Sequence, residues 1–142
     1  MGLPVFRDCC CCELKWGVLT VGIVDIILTL CLGGGNGSGY TGAARIVWFL
    51  ALVIHVAHIV ACVCVIVSVF KPDKRLVIPY LITGICRAII DTVFLILICL
   101  YVRIGDALFL IVIIVAIIVL GIYFWLVIYS WFRKLGGSTP AD

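Results

Sequence analysis

The 142-residue chain is 66% hydrophobic and only 12% charged, with a formal net charge of +3. A soluble domain carries roughly 45–50% apolar and about 25% charged residues, and one this small cannot bury such an excess. A water-soluble globule is therefore excluded, and residues 1–142 are expected to form a single four-span membrane domain. The Lys and Arg residues sit mostly at the ends of apolar runs, where they anchor spans at the lipid surface, so no nucleic-acid partner is expected.

At the N-terminus Gly2 invites myristoylation, but that motif requires Ser or Thr at the sixth position and Phe6 stands there. Cys9, Cys10, Cys11 and Cys12 follow as an unbroken run just before the first apolar stretch. Juxtamembrane cysteines are the usual substrate of S-palmitoylation, and acylation would hold this segment against the leaflet. Unmodified thiols are the other reading. Four adjacent residues cannot all converge on one tetrahedral ion, so no metal is expected there.

Crossing ~30 Å of hydrocarbon needs about 20 apolar residues at 1.5 Å of rise each. Four runs qualify: Leu14 to Leu32, Ile46 to Phe70, Leu76 to Tyr101 and Ala107 to Phe132. The first exceeds a signal-peptide core and has no small-x-small cleavage site after it, so it is read as a retained span. Runs this long without alternation are helices. Gly33 to Ala44 is a glycine-rich turn, Lys71 to Arg75 a tight basic one, and Val102 to Asp106 tighter still. Short loops force sequential antiparallel neighbours, which predicts an all-α, antiparallel four-helix transmembrane bundle. The fourth run carries no charge and is expected to face lipid or a partner. Trp16, Trp48, Trp125 and Trp131 lie toward run ends, where interfacial rings are favoured.

Arg7, Lys15, Lys71, Lys74, Arg75, Arg133 and Lys134 collect on one side of this layout, against Arg45 and Arg103 on the other. The positive-inside rule then places the N- and C-termini in the cytoplasm. Asn36-Gly37-Ser38 fits the N-glycosylation pattern on the outer side, although its loop is short and close to lipid.

Five ionisable residues fall inside the runs. From the basic edge, Asp25 lies ~15 Å deep, Arg87 ~17 Å, His58 ~20 Å, Asp91 ~23 Å and His55 ~24 Å. His55 and His58 are three apart and Arg87 and Asp91 four apart, so each pair shares a helix face. The expected arrangement sets Arg87 between Asp25 and Asp91 with a histidine nearby. Such a network serves as interhelical glue, as a proton or ion relay, or as a docking face for another membrane protein. Gly84 and Ala88 have small-xxx-small spacing, which suits close packing within the bundle.

No zinc-ligand spacing, nucleophile elbow, phosphate loop or catalytic cysteine–histidine arrangement occurs. No enzymatic activity, cofactor or metal is therefore expected.

Two segments carry a family resemblance. Cys11 to Gly22 (CCELKWGVLTVG) has a cysteine pair, a basic residue and two glycines five apart, and Tyr123 to Leu135 closes the last span with YFWLVIYSWFRKL. The first resembles the opening of the lysosome-associated transmembrane proteins. Both are more similar to an insect family of small four-span proteins that includes the Pasiflora proteins. The resemblance implies septate-junction organisation, or a role in endosomal and lysosomal membranes. The tail after Lys134 is eight residues long and lacks the proline-tyrosine motif of lysosomal relatives. The first loop lacks the tryptophan and cysteine-pair signature of claudins. The expected function is thus a non-enzymatic scaffold or assembly protein that makes lateral contacts with other membrane proteins or with further copies of itself. A small proton- or ion-coupled transporter or channel is the alternative.

Overall fold

In hydrocarbon no water is present to satisfy a peptide group, so each apolar run closes its own hydrogen bonds as a helix. The computed structural model contains four of them: α1 (Leu14–Gly33), α2 (Ala43–Phe70), α3 (Ile78–Tyr101) and α4 (Ile104–Lys134). It describes residues 5, 8–9, 12–33, 39–101 and 103–137. Ahead of α1, β1 (Asp8–Cys9) pairs antiparallel with β2 (Cys12–Glu13), setting Cys9 opposite Cys12. Cys10, Cys11 and Asn36 lie outside the described residues.

All four helices are long and apolar enough to span a bilayer. Each packs on its sequence neighbours, and α4 returns against α1 to close the ring. The result is an antiparallel four-helix bundle with α1 and α3 on one diagonal. Both ends of the helical region, together with the α2–α3 turn, therefore lie at the same end of the bundle. Lys74 Nζ donates to the Gly136 carbonyl across that end, at 3.4 Å.

Helix limits differ from the hydropathy limits for local reasons. α2 starts at Ala43, three residues before the apolar run, and α4 extends past its run at both ends. Hydropathy marks where lipid begins, whereas a helix continues until its backbone is capped. Before α3, Lys74–Leu76 form a 3-10 turn in which the Asp73 side chain accepts from the Arg75 amide. α4 ends in a Schellman motif. Gly136 takes φ +89°, its amide donates to the Arg133 carbonyl, and the Gly137 amide donates to that of Phe132.

The packed core sits at the basic end. Leu14, Val18 and Val21 of α1 meet Cys62, Val65 and Val69 of α2, Val77 and Tyr80 of α3, and Phe124, Val127, Ile128 and Trp131 of α4. A smaller cluster, Ile98 with Ile114, joins α3 to α4 at the opposite end.

The fourth helix corrects one expectation. Its first half is largely exposed, with Leu108, Phe109, Val112, Val115 and Val119 facing outward. Its second half is part of the core, because two of its tryptophans carry a donor that lipid cannot satisfy. Trp131 Nε1 donates to Ser68 Oγ (3.1 Å) and Trp125 Nε1 to the Leu81 carbonyl (3.0 Å). These rings clamp α4 to α2 and α3, and interfacial placement suits only Trp16 and Trp48. Gly84 seats the Trp125 ring, which stacks on Tyr129. Gly84 of the small-residue pair on α3 thus serves contact within the bundle.

Candidate functional site: a polar network across the bundle centre

Asp25 is the hub. It stands on α1, eleven residues after Leu14 and four after Val21, so helical periodicity turns it onto the same inward face as the apolar core. Its side chain is 3% exposed. Arg87 Nη1 donates to Oδ1 at 2.5 Å, across the bundle from α3. His58 Nε2 of α2 lies 2.9 Å from Oδ2, and the Tyr80 hydroxyl of α3 donates to the same oxygen at 2.5 Å. Cys62 Sγ approaches Oδ2 at 4.0 Å. One carboxylate therefore ties three helices together. Charge-assisted bonds of this kind are roughly twice as strong as neutral ones.

Two groups support this hub. The Thr83 hydroxyl faces the second ring nitrogen of His58 at 2.9 Å, which orients the imidazole toward Asp25. The Thr29 hydroxyl donates to the Asp25 carbonyl at 2.7 Å. Among the described residues no buried side-chain nitrogen or oxygen lacks a hydrogen-bond partner.

Asp91 is held differently. Arg87 Nε lies 3.6 Å from one of its oxygens and His55 Nε2 lies 3.7 Å from the other. Both distances exceed the 2.7–3.2 Å of a nitrogen–oxygen hydrogen bond. Its side chain is 17% exposed. His55 turns its other nitrogen, Nδ1, onto the Ala51 carbonyl of its own helix. All five residues singled out in the sequence therefore meet in one cluster, with Arg87 between the two aspartates. The cluster has a closed inner part around Asp25 and a looser outer part around Asp91.

Sequence reasoning missed Tyr80, Thr83 and Cys62. Tyr80, Thr83, Arg87 and Asp91 recur at three, four and four residues, a single stripe along α3. His55, His58 and Cys62 form the matching stripe on α2. That periodicity was the available signal, but tyrosine, threonine and cysteine are unremarkable in an apolar helix and carry no charge to mark them. Tyr80→Phe is expected to cost about 1.5 kcal/mol, the low end for a hydrogen bond to a charged group. Thermal unfolding in detergent measures it, and an unchanged midpoint would mean that the phenol adds nothing to the hub.

The donor atoms of Asp25, His58 and Cys62 lie within 4.8 Å of one another, close enough to share a metal ion. Arg87 and Tyr80 already donate to the two oxygens of that carboxylate.

Comparison with protein-family models, with curated proteins and with solved structures finds no match.

Proposed function

We propose that this integral membrane protein is a non-enzymatic scaffold or assembly factor that acts through lateral helix contacts, with its basic end in the cytoplasm. The carrying observation is the use made of Asp25. Its carboxylate is taken up by Arg87, His58 and Tyr80, which fixes the register and rotation of three helices. The core on its basic-end side is closed by Val127, Ile128 and Trp131, an arrangement that favours a rigid platform over a conduit. Along the remaining length, α2, α3 and α4 present exposed apolar faces suited to neighbours within the bilayer. The resemblance to the insect four-span family supports septate-junction organisation as the setting. A tagged copy at lateral cell borders would support that setting, and endosomal puncta would favour the lysosomal branch instead.

Transport is the competing reading, and the loosely held Asp91 favours it. Purified protein in phosphatidylcholine vesicles is expected to give no proton or cation flux above protein-free vesicles. Flux that Asp25→Asn abolishes would overturn the scaffold reading.

A further inference from the structure

A cleft of about 510 Å³ lies between α3 and α4 near mid-span, within the size range of ligand pockets. Ile85, Ile89 and Val93 form one wall and Ile117, Ile118 and Ile122 the other. Ile85, Ile89 and Ile122 are also exposed on the outside of the bundle, so the mouth opens sideways, into hydrocarbon. Trp125 closes the basic end of the cleft, while Arg87 and Asp91 stand on its inner wall, which reaches in to Asp25, His58 and Tyr80 of the hub. Gly121 keeps the α4 side open, since a Cβ built there meets nothing within 4 Å. Anything entering must come from the lipid phase.

Asp91 is the acceptor that the fold leaves underserved. Its two ion-pair partners stand at 3.6 and 3.7 Å. The Ala51 carbonyl can only accept, so His55 donates its Nδ1 hydrogen there, and its other nitrogen stays beyond hydrogen-bond distance of Asp91. Asp25 and Asp91 share the single guanidinium of Arg87, which stands at hydrogen-bond distance from Asp25 alone. A carboxylate without close donors is costly in hydrocarbon.

The geometry points to this cleft as a binding site for a lipophilic amine, its hydrocarbon chain between α3 and α4 and its protonated amino group on the Asp91 carboxylate. An ammonium brings a positive charge and three donors that can close to hydrogen-bond distance, which no partner of Asp91 does in this fold. An alcohol supplies one donor and no charge, and a carboxylate is repelled. The Thr92 hydroxyl, at the edge of the cleft, donates to the Ala88 carbonyl and keeps its lone pairs free to accept from the same head group. The inference goes beyond the scaffold reading, and its readout needs no protein partner.

The test is photo-crosslinking in phosphatidylcholine nanodiscs with three probes of equal chain length, each bearing a diazirine: a primary amine, an alcohol and a carboxylic acid. The amine is expected to label residues 85–93 and 117–125 roughly tenfold more than the alcohol, the worth of one partly screened ion pair, and unlabelled amine should compete. Asp91→Asn should bring amine labelling down to the alcohol level. Gly121→Leu, which fills the cleft without touching its charges, should remove labelling by every probe. Equal labelling by all three probes would overturn the inference, as would amine labelling that survives Gly121→Leu. Should Asp91→Asn fail to fold, the probe comparison and Gly121→Leu decide the matter alone.

Discussion

Asp25→Ala is expected to destabilise the bundle by about 3 kcal/mol, the lower end of the cost of stranding a buried charge. Arg87 is only 6% exposed and loses its hydrogen-bonded partner, while Tyr80 and His58 lose their shared acceptor. The lower end is chosen because Asp91 remains 3.6 Å from the Arg87 guanidinium and can turn to take it. Removing both charges should cost far less, since an apolar pair of similar volume often replaces a buried ion pair without loss. Asp25→Ala with Arg87→Met is therefore expected to recover most of the stability lost by Asp25→Ala. Thermal unfolding of the purified variants in one detergent compares them directly. A double variant no more stable than the single one would show that the guanidinium is not the stranded group.

Two glycines beside the same cleft should respond in opposite ways. A Cβ at Gly84 would stand 2.9 Å from Trp125 Cδ1. That ring cannot swing aside freely, being stacked on Tyr129 and bonded to the Leu81 carbonyl. Gly84→Leu should therefore push α4 away from α3 and cost about 3 kcal/mol, the upper end for overpacking, despite the gain of about 1 kcal/mol from removing a helical glycine. Gly121→Leu meets open space and should keep that propensity gain. Unfolding midpoints measure both, and a stable Gly84→Leu variant would mean that the Trp125 clamp is dispensable.

Much of the architecture could be read from the chain because lipid enforces a simple code. Twenty apolar residues and a basic flank locate a span, and short loops impose antiparallel neighbours. The polar cluster was legible for a related reason: a charge in hydrocarbon must find a partner, so Asp25, Arg87 and Asp91 announced one another. Three things escaped. Tyr80 is as apolar as it is polar, so its presence in a span gives no warning that its hydroxyl is aimed at Asp25. The packing role of α4 was hidden because hydropathy treats lipid and protein interior alike, and only the indole donors of Trp125 and Trp131 distinguish them. The division between a tightly bonded Asp25 and a loosely held Asp91 depends on differences of about an ångström, which helical spacing does not resolve.

The helices are unequal, and this has a consequence for the surrounding lipid. Helix α1, Leu14–Gly33, is 20 residues long, whereas α4, Ile104–Lys134, is 31. At 1.5 Å per residue these span about 30 and 46 Å, against a hydrocarbon thickness near 30 Å. The two helices pack together, so tilting the whole bundle cannot match both. The bilayer keeps its resting thickness beside α1 and must thicken beside α4, at a cost of a fraction of a kcal/mol per ångström of mismatch. That strain falls on one flank of the bundle, so the lipid around the protein is unevenly deformed.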